Sequence, residues 1–157
     1  MPGAISIASV SATTTRPDST DACNQAINYA ATNLVDGNPS TAWMAGGDGT
    51  GASITLRFGA TKDINFVGMI PGYAKVDPCT GNDRFAELRR IQRVRWTFSN
   101  GTSIEQLLDA ENRAMQFAVI PGGVKASSVR LTILETLAPG SPVLNHTPIS
   151  DVVVGLH

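Results

Sequence analysis

The chain has 157 residues, of which 42% are hydrophobic and only 16% charged, with a formal net charge of −1. That length suits one domain with a core of its own, and the near-zero charge excludes a whole-chain field that would draw in nucleic acid or an anionic membrane. No apolar run approaches the roughly 20 residues that a membrane span needs, and the plentiful Gly and Pro fit many short elements joined by turns.

In chain order, the opening "MPGAISIASVSATTTRPDSTDA" has neither a basic n-region nor a long apolar h-region, so it does not read as a signal peptide. Within it, "ISIASVSA" is a first strand. Asp21–Ala31 offers a short helical turn. "ASITLRF" then sets Ile54, Leu56 and Phe58 against Ser53, Thr55 and Arg57, the period-two signature of a half-buried strand. "INFVGMI" follows, then a second helical turn over Asp83–Arg89. "RVRWTFS" alternates Val94, Trp96 and Phe98 with Arg93, Arg95 and Thr97. "SNGT", Ser99–Thr102, is a two-residue hairpin signal of type I′. "MQFAVI", "SVRLTIL" and "ISDVVVGL" complete the set, with Pro139–His146 as a loose connection. About eight strands separated by turns predict an all-β antiparallel jelly-roll sandwich forming a single domain over residues 1–157.

Cys23 and Cys79 both lie in Gly/Pro/Asp/Asn-rich surroundings. Such a pair fits one disulfide and an oxidising compartment, with about 4 kcal/mol of stabilisation from loop entropy; two unrelated thiols is the alternative. Two Cys and two His show no zinc-ligand spacing. "AGGDGTG", Ala45–Gly51, lacks the Lys-Ser/Thr and the strand-to-helix setting of a phosphate loop and reads as a flexible loop. "ELRRIQRVRW" places Arg89, Arg90, Arg93 and Arg95 near one another; a solvated strand face balanced by acids is the expected reading, an anion or nucleic-acid patch the rival. His146 reads as a loop residue, and nothing in the chain pairs a nucleophile with a base. Carboxylate pairs such as Asp77 and Asp83 can be weighed as a glycosidase couple, but acids in a turn-rich loop are ordinarily just solvated.

"NLVDGNPSTAW", Asn33–Trp43, has two readings. Asp36-Gly37-Asn38-Pro39 is sufficient for a plain turn, with Trp43 a core aromatic after it. A hard cation is the other reading: calcium takes six to eight oxygens, and Asp36, the Asn38 carbonyl and Thr41 sit close in sequence, with Asp151 as a second acid.

Taken in order, "NLVDGNPSTAW", "PGYAK", "FSNG" and "ISDVVV" resemble the pattern of discoidin-type (coagulation-factor C-type) domains of the galactose-binding-like superfamily. The resemblance is closest to the NADase-associated glycan-binding variety found in actinobacterial and other Gram-positive surface proteins. It spans Ala4 to Leu156 and implies an eight-stranded jelly roll. It also implies a structural calcium held by the carbonyl of Asn33, the carboxylate of Asp36, the carbonyl of Asn38, Thr41, the carbonyl of Ser150 and the carboxylate of Asp151. The family usually has Glu where Asp151 stands, one methylene longer.

For ligand binding, the resemblance points to loops at one end of the sandwich, here Met44–Gly51 and Tyr73–Arg84. Tyr73, Lys75, Asp77, Asn82 and Arg84 could supply a ring face, cationic donors and acceptors, and Asn82 with Arg84 matches the variety's "N-x-R". The competing reading packs Tyr73 inward and uses Arg84 to hold its own loop. The expected function is a non-catalytic extracellular or cell-surface module for carbohydrate, part of a larger membrane-anchored or secreted protein, with no nucleic-acid partner and no membrane insertion by this segment. The alternative is a protein-interaction or sensor ectodomain without a sugar site.

Overall fold

The computed structural model describes residues 3–157. Its elements are β1 (Ser9–Ala12), β2 (Ser19–Thr20), β3 (Ala26–Ile27), β4 (Trp43–Gly46), β5 (Ser53–Met69), α1 (Arg84–Glu87), β6 (Arg90–Phe98), β7 (Ser103–Leu107), β8 (Gln116–Leu137), β9 (His146–Ile149) and β10 (Val152–Gly155), with 3-10 turns at Ala31–Val35 and Pro142–Leu144. The alternation in the sequence does what period two dictates. Ile54, Leu56 and Phe58 are buried, as are Val94, Trp96 and Phe98, and Val129, Leu131 and Ile133. Together with Trp43, Ile149 and Val154 they form one continuous core. The antiparallel jelly-roll sandwich expected from the sequence is the fold.

The main sheet runs β1-β5-β8-β6-β7, and β10 pairs with the other half of β5. β1 covers Ile54–Arg57 while β10 covers Phe66–Met69, so the first and last strands share one edge of the same long strand. Gly3 and Leu156 are joined there by a backbone bond, Ile5 and Val154 by another, and Ala4 bridges Gly155.

Several expected boundaries shift. "ASITLRF" and "INFVGMI" are the two halves of β5, and "MQFAVI" and "SVRLTIL" the two halves of β8. Register shifts between Arg57 and Lys62 and between Ile64 and Phe66 bend the pair, and an apolar pattern interrupted at a bulge looks like two strands in sequence. "ISIASVSA" contributes only Ser9–Ala12. "ISDVVVGL" is broken at Ser150–Asp151, which join β9 to β10. The first helical turn forms at Ala31–Val35 rather than over Asp21–Ala31. The second is α1, capped by the Asp83 carboxylate accepting from the Phe85 N–H.

The β6–β7 hairpin exists, but not with a type I′ turn. Gly101 alone has positive φ, at 90°; its N–H bonds the Phe98 carbonyl, and Asn100 Oδ1 accepts from the Thr102 N–H. The turn is centred on Ser99 and Asn100, with glycine taking the left-handed position after it.

β4 pairs with β9 in a separate two-stranded ladder. Its alternation splits two environments: Trp43 and Ala45 enter the main core, while Ala42 and Met44 join Tyr29, Tyr73 and Leu88 in a second, smaller cluster. "AGGDGTG" is therefore not a flexible loop. Its first two residues end β4, Gly49 donates to Thr147 Oγ1, and Asp48 accepts from Thr50 and Thr136. His146 likewise begins β9 instead of lying in a loop. Cys23 and Cys79 are bridged across a sequence separation of 56.

Candidate functional site

Two constellations meet the residues singled out in sequence. The first is the bend at Asp36–Thr41. Gly37 takes φ +69°, a conformation that side chains disfavour. Asp36 Oδ1 accepts from the Asn38 N–H at 2.9 Å, and the Thr41 hydroxyl reaches both Asp36 Oδ2 at 2.5 Å and the Asn38 carbonyl at 3.0 Å. Asn33 fastens the bend from behind, its Nδ2 donating to the Ala42 carbonyl at 2.9 Å. Ser150 is fully buried; its hydroxyl donates to the Pro39 carbonyl at 2.8 Å and accepts from the Ala74 N–H at 2.9 Å. The junction of the last two strands is thereby stitched to the early bend.

Asp151 stands beside that bend. Burial, and then the Asp36 carboxylate, push its carboxyl up to about 6, against hydrogen bonds from the Gly37 and Val152 N–H groups. Its Oδ1 is buried with no hydrogen-bond partner among the described residues. Two facing carboxylates, one with an orphaned buried oxygen, form an oxygen set that fits a hard divalent cation. Of the six residues named for the metal, Asp36, Asn38 and Thr41 are bonded to one another in the bend, Ser150 is bonded to it through Pro39, Asp151 faces Asp36, and Asn33 bonds behind it to Ala42.

The second constellation is a small pocket of about 100 Å³ over the minor cluster. Tyr73, Lys75 and Arg84 line it together with Arg16, Tyr29 and Met44. Tyr73 is only 4% exposed. Burial, then the neighbouring Tyr29, push its hydroxyl up to about 12. Lys75 Nζ lies 5.9 Å from the Tyr73 ring centre and 3.4 Å from Asp21 Oδ2, and the Arg16 guanidinium lies 4.8 Å above the Tyr29 ring. Arg84 is held by Asp77 at 3.3 Å and Glu87 at 3.2 Å.

Two of the five ligand candidates do not line the pocket. Asp77 is 1% exposed, and as a direct ligand contact it is corrected. It accepts from the N–H groups of Cys79, Thr80 and Ala22 and from Arg84. Burial pushes this carboxyl up, but those bonds outweigh it and hold it down at about 2. Asn82 is exposed on the turn outside, its backbone carbonyl bonding the Asp77 N–H. Asp77 and Asp83 do not form a catalytic couple, since Asp83 caps α1 and pairs with Arg113.

Arg16, Ser19, Asp21 and Tyr29 escaped the sequence reading. The signal was present in the cysteines: a Cys23–Cys79 bridge necessarily brings the segment around Cys23 beside the 73–84 loop. The arginine run behaves as a balanced face, with Arg90–Glu111 at 3.0 Å, Arg93–Glu105 at 2.8 Å and Arg95–Glu105 at 3.7 Å. No described helix is long and apolar enough to cross a membrane.

Residues 7–155 match the NAD glycohydrolase translocation F5/8 type C domain family. The chain belongs to this family. No curated protein matches it significantly. Solved structures share the fold at low identity. The family 32 carbohydrate-binding module of AlyQ, in complex with 4,5-unsaturated mannuronic acid, is 17% identical at a TM-score of 0.63, covering 98% of both chains. The family 32 module of Clostridium perfringens NanJ, in complex with galactose, is 16% identical at 0.63, covering 93% of this chain and 91% of that one. A third such module, from a Clostridium perfringens family 31 glycoside hydrolase, is 17% identical at 0.65, covering 99% and 90%.

Proposed function

We propose that this F5/8 type C domain is a non-catalytic carbohydrate-binding module, acting outside the cytoplasm within a larger membrane-anchored or secreted protein. The observation that carries the reading is the pocket itself. Tyr73, Lys75 and Arg84 from one loop meet Arg16, Ser19 and Asp21 from another in a concave polar site on an apolar floor, with donors and acceptors of the kind a sugar's polar groups require. The complexes formed by the AlyQ and NanJ modules support the same class of ligand. The Cys23–Cys79 bridge supports an oxidising compartment.

Calcium is assigned a structural role. Asp36, Asp151, Thr41 and the carbonyls of Asn33, Asn38 and Ser150 would hold it, and its charge would relieve the mutual repulsion of the two carboxylates. Asp36 and Thr41 shape the bend, Ser150 ties it to the end of the chain, and the pocket residues contact the ligand. A glycan array with the purified domain, followed by titration of the hits against a Lys75→Ala variant, tests the reading. Saccharide hits weakened by the variant support it. An array without hits, together with capture of a protein partner, replaces it with an interaction domain.

A further inference from the structure

Deepening the glycan-binding reading, on which it rests, we propose that the pocket selects an acidic saccharide, with Arg16 receiving its carboxylate.

The argument begins with ion pairing. Four cations make no ion pair among the described residues: Arg16, Arg57, Lys62 and Arg130. The last three are exposed on outer faces, where water solvates them. Arg16 alone is half-buried and lines a pocket. A guanidinium carries five N–H donors. The bond recorded for this one is a 3.5 Å contact from Nη1 to Met44 Sδ, a weak acceptor. Its backbone is anchored independently, the Arg16 N–H bonding the Met44 carbonyl at 2.8 Å. A guanidinium held over a ring in a pocket, with donors that no protein acceptor takes up, is placed to receive an incoming anion through charge-assisted hydrogen bonds.

The aromatic faces point the same way. A neutral sugar bound by stacking needs an open ring face. Here Arg16 covers the Tyr29 ring and Lys75 lies by the Tyr73 ring. Tyr29 and Tyr73 are 6% and 4% exposed. What the pocket offers instead is a cation, with Ser19, Thr20 and Asp21 on the rim to bond ring hydroxyls. The small volume admits one carboxylated ring edge at a time, which favours a terminal or protruding uronate.

The test is calorimetric titration of the whole chain with tri-galacturonate and with its fully methyl-esterified form, which keeps the rings and removes the charge. The expected result is binding of the acid at least about tenfold tighter than of the ester, the scale of one charge-assisted hydrogen bond. Arg16→Gln abolishes that preference, and Arg16→Lys, which keeps the charge, restores part of it. The acid–ester comparison stands even if Arg16→Gln does not fold. Equal binding of acid and ester, or a preference that Arg16→Gln leaves intact, overturns the acidic-ligand assignment. In that case other sugars binding at the Lys75-sensitive site keep the broader reading alive. Absence of binding to any saccharide overturns both.

Discussion

Asp151→Asn is the substitution whose outcome follows most directly from the structure. The Asp151 carboxyl holds its proton up to about pH 6, against 3.8 for an ordinary one. The folded state therefore gains from protonation below pH 3.8, and that gain is lost as pH rises through about 6. Above it, the ionised folded protein carries a penalty of about 3 kcal/mol if the carboxylate were fully desolvated. Asp151 is only half-buried, so solvent screening brings the figure to about 1–2 kcal/mol. Asn keeps the shape and removes the charge facing Asp36. In chelator at pH 7.5 the variant should melt about 2–8 °C above the parent, given about 2–4 °C per kcal/mol for this size. At pH 3.5 the two should coincide.

Calcium should reverse the order. At 100-fold excess over its dissociation constant, an ion bound only by the folded state adds about 2.7 kcal/mol, and the variant, short of one carboxylate, should gain far less. The assay is thermal unfolding at pH 3.5 and 7.5, with chelator and with millimolar calcium. A variant less stable than the parent in chelator at pH 7.5, or an equal calcium response in both proteins, refutes the reasoning.

Three further outcomes are expected. Removing the disulfide, by reductant or by Cys23→Ser with Cys79→Ser, should cost up to about 4 kcal/mol in unfolding free energy and weaken saccharide binding, since the bridge ties together the segments that carry Asp21 and Lys75. Asp77→Asn should lower the melting temperature at pH 7, and the gap should close as pH falls from about 4 to about 2, because the depressed acid stabilises the fold only while ionised; a gap that is constant over that range counts against it. Trp96→Ala should cost about 3–5 kcal/mol by chemical denaturation, and Gln106→Leu less, because Trp96 fills the core while Gln106 only links the Trp96 indole N–H to the Gln116 carbonyl.

The sheet was legible because burial there is decided by neighbours two residues apart, as at Ile54, Leu56 and Phe58. The bend at Asp36–Thr41 was legible because its hydrogen bonds are local, joining Asp36, Asn38 and Thr41 within a few residues. The pocket was only half legible. Tyr73 reads as an available ring until Tyr29 and Leu88, far away in sequence, close over it. Asp77 reads as a free acid until the N–H groups of Ala22, Cys79 and Thr80 converge on it. Arg16 carries no local mark at all, and its importance comes from what its surroundings lack. β5 and β8 were read as four strands because the register shifts at their bends, between Arg57 and Lys62 and between Ile64 and Phe66, break the alternation while the chain stays extended.

The shared edge of β5 has a mechanical consequence. With Gly3 bonded to Leu156 and Ala4 bridged to Gly155, a pull on the two ends of the domain opens antiparallel neighbours one bond at a time, like a zipper, rather than shearing many bonds together. The tear would run down β10 from Gly155 to Val152 and arrive at Asp151. A divalent ion clasped between that residue and the Asp36 bend would act as a rivet where the seam ends, so the force needed to open the domain from its two ends should depend on calcium.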